Sequence, residues 1–241
     1  MNSEHQEWLQ KMEEQSRSRQ KQFMQHIADR LGRPRVTEPP RHPFRGSPAF
    51  WQEFEWSEEE RIAEFTANFL SVGGQVERLA DWSEVGGYIQ GLAEQMNAHY
   101  IVRQHQDTLA ALKLEERMPH SQISVWNTEE DTAWMSRAAE ADFGIVVADH
   151  AVAYTGSVTV LSSADKGRSV SLLPTALIVI IPVERLVTRL GEVLTTFDEA
   201  GREQLPAGIH FISGPSRSSD IENDLTIGVH GPGIVHALLV G

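Results

Sequence analysis

The six residues at 176–181, Ala-Leu-Ile-Val-Ile-Ile, constrain this chain more than any other stretch. A strand built from them has no polar face and must be covered on both sides. Pro182 ends the run. The rest of the body supplies elements to cover it. Ser57 with Glu60 is a capping-box signature ahead of Ile62, Phe65, Phe69 and Leu70 at helical spacing, and Gly73-Gly74 closes that helix. Residues 75–79 read as a strand. Asp81 with Glu84 opens a helix to about Asn97. Residues 99–103 and 121–126 read as strands, with a helix over 108–116 between them. Thr128 with Asp131 caps a helix to about Glu140. This alternation, at βαβ spacing, predicts a parallel α/β sheet. Beyond Asp142 the texture changes. Residues 144–153 are largely apolar, and 157–161 and 169–172 are β-rich. After Pro182 a helix carries Leu186, Val187, Leu190, Val193, Leu194 and Phe197 on one face. Residues 208–212 and 234–240 read as the last strands. The expected class is mixed α/β with an internal antiparallel portion.

Residues 1–32 form an arm and 33–50 a linker, leaving 51–241 as the α/β domain. A helix over 4–31 is apolar at Trp8, Leu9 and Met12 and again at Phe23, Met24, Ile27 and Leu31, with no apolar residue between Glu13 and Gln22. Such a helix cannot bury itself. It packs on a partner, on a second copy in a homo-oligomer or on its own body, or it stays solvated and frays. Five prolines and four arginines make the linker an extended, basic segment.

Residues 1–48 hold nine Lys/Arg against six Asp/Glu, while the whole chain has a net charge of −13, so the body is strongly acidic. An acidic surface repels phosphates, which disfavours sequence-blind nucleic-acid binding. With no cysteine, disulfides, cysteine-held iron–sulfur clusters, zinc–thiolate sites and a cysteine nucleophile are excluded. The longest uncharged apolar stretch, 169–183, is too short for a membrane span and carries Pro174 and Pro182. No signal-peptide core follows Met1. A cytoplasmic protein is expected.

Four polar, glycine-rich segments lie at the ends of buried strands, where open α/β sheets bind ligands. Tyr154-Thr155-Gly156-Ser157 is a hydroxyl-lined ligand wall or a hairpin link. In the segment from Gly167 to Pro174, Arg168 clamps a carboxylate or pairs with Asp165. Ser213-Gly214-Pro215-Ser216-Arg217 leads into a helical turn with Ser219 as N-cap and Glu222 completing its box. That turn is an anion site or a plain capped turn with Arg217 paired to Asp220 or Glu222. In Gly228-Val229-His230-Gly231-Pro232-Gly233, His230 is a proton shuttle, a hydrogen-bond donor to a bound acid, or a structural histidine. No phosphate loop, strict dinucleotide fingerprint, His-Glu-x-x-His or Gly-x-Ser-x-Gly elbow is present, and no metal site is expected.

Taken together, these four segments, in this order and spacing, resemble the LUD domain. The similarity is clear from about residue 139 onward, and the arm and linker also fit. The resemblance implies a three-layer α/β/α fold similar to the sugar-phosphate isomerase/CoA-transferase-like group, which includes formyltetrahydrofolate cyclo-ligase. It implies a non-iron–sulfur component of a bacterial L-lactate utilization system, in which L-lactate is oxidised to pyruvate to support growth on lactate. The partners would be iron–sulfur subunits, and no cofactor is assigned to this chain. His230 is the candidate base, with Arg168 or Arg217 as the cation for the carboxylate. The wider candidate binding set is Thr155, Gly156, Ser157, Ser171, Ser213, Gly214, Pro215, Ser216, Asp220, Glu222 and Gly231. Tyr154 replaces an acidic residue common in relatives, so no role needing a carboxylate there applies. Two alternatives stand beside this: a stand-alone phosphate- or nucleotide-binding enzyme of the cyclo-ligase-like fold, and an assembly or regulatory factor.

Overall fold

In the computed structural model, residues 3–38, 54–128, 133–219 and 225–241 are described. The chain divides into two units, Met1–Glu53 and Phe54–Gly241. The first contains helix α1 (Ser3–Arg30). Its residues Trp8, Leu9, Met12, Phe23, Met24, Ile27 and Leu31 are all exposed. No described helix is long and apolar enough to cross a membrane.

The second unit is built on a six-stranded, wholly parallel sheet. Its strands are β1 (Gln75–Leu79), β2 (Tyr100–Arg103), β3 (Gln122–Val125), β4 (Phe143–Val147), β7 (Ala176–Pro182) and β12 (Ile234–Val240), in the order β1-β12-β7-β4-β2-β3. Every residue of β7 is buried, as its unbroken apolar run requires. Alternate residues feed two cores. Leu177, Val179 and Ile181 pack with Phe65 and Phe69 of α2 (Glu58–Ser71) and with Val170. Ile178 and Ile180 pack with Val85 and Ile89 of α3 (Trp82–Met96) and with Leu109 and Leu114. Helices therefore cover both faces of the sheet, with α3 and two short helices on one side and α2 on the other. The antiparallel pairs, β5 (His150–Val152) with β6 (Ser157–Ser162) and β6 with β9 (Gly208–Ile212), lie in a separate four-stranded sheet of order β8-β5-β6-β9, in which β8 (Leu186–Val187) runs parallel to β5. Ala151, Val158, Val160 and Leu186 bring it into the α2-side core.

Local signals explain most boundaries. Ser57 and Glu60 form the reciprocal box: the Ser57 N–H donates to Glu60 Oε2 at 2.8 Å, and the Glu60 N–H to Ser57 Oγ at 3.4 Å. At α3 the Asp81 carboxylate accepts from the Ser83 N–H at 2.7 Å, while Glu84 accepts from the Ala80 N–H at 2.8 Å. Asn97 then closes the helix with φ 52°.

Four expectations are corrected. The helix over 108–116 is two short helices, α4 (Asp107–Ala110) and α5 (Leu114–Arg117), broken where Lys113 takes φ 50°. Residues 169–172 lie in a helix, α7 (Arg168–Leu172), which packs on β4. Leu186 and Val187 pair with β5 as a strand, and the helix that follows, α8 (Leu190–Ala200), starts behind an Arg189–Glu192 cap. Arg217 does not lead into a helix: β10 (Arg217–Ser219) pairs antiparallel with β11 (Leu225–Ile227). The expected cap at Asp131, and Asp220 and Glu222, fall outside the described residues. The helix read to Glu140 is described as α6 (Trp134–Glu140).

Candidate functional site

The four motif segments divide between two places. One group gathers around the C-terminal end of α2. Tyr154 to Gly156 lie in the turn between β5 and β6, Ser157 opens β6, and Asn68 Nδ2 donates to the carbonyls of Ala153 (2.9 Å) and Tyr154 (3.2 Å). Gly156 has φ 54°, and a Cβ there would lie 2.9 Å from the Asn68–Phe69 backbone, so only glycine lets this turn close on α2. The buried Ser157 hydroxyl meets the Ser213 hydroxyl at 2.6 Å. A Cβ on Gly214 would meet Val72 Cγ2 at 2.9 Å. The Arg217 guanidinium donates to the Val72 carbonyl, one of the carbonyls a helix end leaves unpaired. Thr155 lies exposed in the turn.

The second group opens a cleft of about 920 Å³. Arg168, Ser169, Leu172 and Leu173 line it from α7 and its end, Gly228 to Gly231 from the loop before β12, and Met135 from α6. Arg168 and His230 face this one cleft. Ser216 joins the two groups: its N–H donates to the Pro232 carbonyl at 2.9 Å, and its carbonyl accepts from the Gly228 N–H at 3.0 Å. Gly228 has φ 81°, which lets the loop turn back across the cleft. The buried Ser171 hydroxyl bonds the Arg168 carbonyl at 3.1 Å and braces α7 from within.

Thr175, the residue before β7, and Ile234, the first residue of β12, also line the cleft. It therefore sits at strand ends, as expected, but at the amino ends of the parallel strands rather than the carboxyl ends where open α/β sheets usually bind ligands. Met135, Leu173, Ile227, Val229 and Ile234 form an exposed apolar rim around it. Leu173 and Val229 belong to the motif segments and Ile234 to the last strand, whereas Met135 and Ile227 carry no sequence signal, because isolated apolar residues outside a periodic run are ordinary. Burial, and secondarily the Arg168 charge, hold His210 below its ordinary pKa, and His210 Nε2 lies 3.0 Å from Ser162 Oγ. Among the described residues no three His, Asp or Glu side chains converge to hold a metal.

The LUD domain family model matches residues 62–240. The chain belongs to the LUD domain family. Among its relatives are proteins named lactate utilization protein C. The one from Halalkalibacterium halodurans is 34% identical over 217 residues, covering 89% of this chain and 94% of that protein. The one from Shouchella clausii is 32% identical over 212 residues, covering 87% and 92%. The crystal structure of a DUF162 family protein from Deinococcus radiodurans superposes with a TM-score of 0.59 at 21% identity, covering 77% of this chain and 99% of that one. That structure shares the fold of this LUD domain.

Proposed function

We propose that this LUD-domain chain is the non-iron–sulfur component of a bacterial, cytoplasmic L-lactate utilization system. It works beside iron–sulfur subunits that take two electrons from L-lactate as pyruvate forms, and so supports growth on lactate. The reading rests on one observation: Arg168 and His230 line a single cleft in a chain whose likeness to proteins named lactate utilization protein C runs through about nine-tenths of its length. The guanidinium pairs with the substrate carboxylate. The imidazole accepts the C2 hydroxyl proton, and the C2–H bond breaks with its electron pair passing to the partners and its proton to solvent. A chain without cysteine holds no cluster of its own by thiolates, so the electrons leave through the partners. The apolar rim and the arm helix are the surfaces offered to those partners. Arg217 bonds the Val72 carbonyl and does not line the cleft, which leaves Arg168 as the carboxylate cation.

The test is lactate-dependent dye reduction by the system assembled from this chain and its iron–sulfur partners. His230→Ala lowers turnover by about 100-fold or more, and Arg168→Gln raises the lactate concentration for half-saturation. Unchanged turnover with His230→Ala removes the base from the reading.

A further inference from the structure

The sheet has a second opening, at the opposite end from the motif cleft. The chain leaves β2 toward the edge strand β3 and leaves its neighbour β4 toward β7, on the other side. Two adjacent parallel strands whose connections depart in opposite directions define a topological switch point, and the crevice outside their carboxyl ends is where open α/β sheets place ligands. Here that crevice is an open recess of about 450 Å³. It is formed by His105 to Thr108 after β2, Val147 at the end of β4, Asp165 and Arg185.

The lining is polar, and its groups are largely uncommitted. Arg185 gives one hydrogen bond, from Nη1 to the Ala148 carbonyl at 2.7 Å, and pairs with no carboxylate among the described residues. Asp107, exposed at the start of α4, makes no side-chain hydrogen bond among them. Asp165 holds the loop after β2 in place: its carbonyl accepts from the His105 N–H at 3.0 Å, and its carboxylate lies 3.5 Å from His105 Nδ1. The Gln106 Oε1 is buried without a hydrogen-bond partner. One guanidinium, two carboxylates and an amide side chain thus line one recess, and no three metal-ligating side chains converge among the described residues. A bare anion satisfies the guanidinium and is repelled by the carboxylates. A ligand carrying both an anionic group and several hydroxyl donors satisfies all four. The volume lies in the range of small-molecule sites and exceeds the needs of a three-carbon acid.

We propose that this switch-point recess binds a polyhydroxylated organic anion, its charged group on Arg185 and its hydroxyls on Asp107, Asp165 and Gln106. The site is separate from the motif cleft, and its failure leaves the reading of that cleft untouched.

The test is an amide-resolved NMR titration of the full chain with four probes: D-gluconate, sorbitol 6-phosphate, sorbitol and hexanoate. The first two carry the anion and the hydroxyls, as a carboxylate and as a phosphate. Sorbitol lacks the anion and hexanoate lacks the hydroxyls. At least one of the first pair is expected to shift the amides of Gln106, Asp107, Thr108 and Arg185 saturably. The tighter of the two identifies the anionic group. Sorbitol and hexanoate bind about tenfold more weakly or not at all. Asp107→Asn, an exposed change that leaves the fold intact, and Arg185→Gln each weaken the preferred probe about tenfold. The proposal is overturned if neither anion moves those amides, if hexanoate binds as well as gluconate, or if the shifts fall on residues 228–231 instead.

Discussion

Alanine in place of glycine has opposite consequences at two positions of this domain. At Gly91, on the exposed face of α3, an added Cβ meets nothing within 4 Å. Alanine there removes the backbone freedom of glycine and stabilises the helix by about 0.8–1 kcal/mol. At Gly144, in β4, the same Cβ would lie 2.0 Å from the Val170 carbonyl oxygen and 2.8 Å from Pro174 Cγ. A carbon–oxygen contact needs about 3.3 Å, so α7 would have to retreat from the sheet by about 1.3 Å. The obstacle is backbone and cannot rotate aside. The cost belongs at the upper end of overpacking, about 3 kcal/mol. At about 2–4 °C per kcal/mol for a domain of this size, Gly91→Ala melts about 2–4 °C higher than the parent and Gly144→Ala about 6–12 °C lower. Thermal unfolding followed by circular dichroism at 222 nm, with urea titration for the free energies, reads both. A Gly144→Ala chain that melts at or above the parent would refute the seating of α7 on β4, and with it the position of Arg168.

Arg217→Gln is expected to lose about 0.5–1.5 kcal/mol, the worth of the hydrogen bond to the Val72 carbonyl, while leaving half-saturation by lactate in the assembled system unchanged. A raised half-saturation would return this arginine to the substrate. Burial holds His236, whose Nδ1 lies 3.3 Å from the Tyr88 hydroxyl, below its ordinary pKa of 6.5. The unfolded chain therefore takes up a proton that the folded chain resists, and stability is lost as the pH falls through 6.5. His236→Gln should flatten that loss between about pH 7 and pH 5.5, measured by urea unfolding at each pH. Burial depresses His150 and His210 in the same direction, so part of the slope stays. An unaltered slope refutes the assignment to His236.

What could be read from the sequence was what local chemistry decides. The strands at Gln75–Leu79, Gly208–Ile212 and Ile234–Val240 match the spans read from the sequence, and α2 and α3 begin at their capping residues. Failures came where a distant partner decides. Leu186 and Val187 have the spacing of a helix face but pair with β5. Arg217 to Ser219 resemble a capped turn but find β11. Alternating serines and valine at 169–172 suggest a strand, yet α7 fills the space left by the missing side chain of Gly144. The site was legible as a set of motifs, but not as its division into a cleft and a clasp on α2. Arg168 and Arg217 are equivalent cations in one dimension, and only packing commits the second to a carbonyl. Arg185, Asp107 and Asp165 carry no motif, and the topology alone brings them together.

The place of β12 in the sheet has a consequence for biosynthesis. It lies between β7 and β1, and among the described residues β1 pairs with no other strand. Gln75 meets His236, 161 positions later. On the ribosome, β1 must therefore wait with its backbone donors and acceptors unpaired while nearly all of the domain is translated. The interval exposes a strand edge of the kind that chaperones shield and that pairs wrongly with neighbouring nascent chains. A premature stop before β12 would not trim an end. It would leave a sheet split through its interior, and the product should be cleared by proteolysis rather than accumulate as a shortened domain.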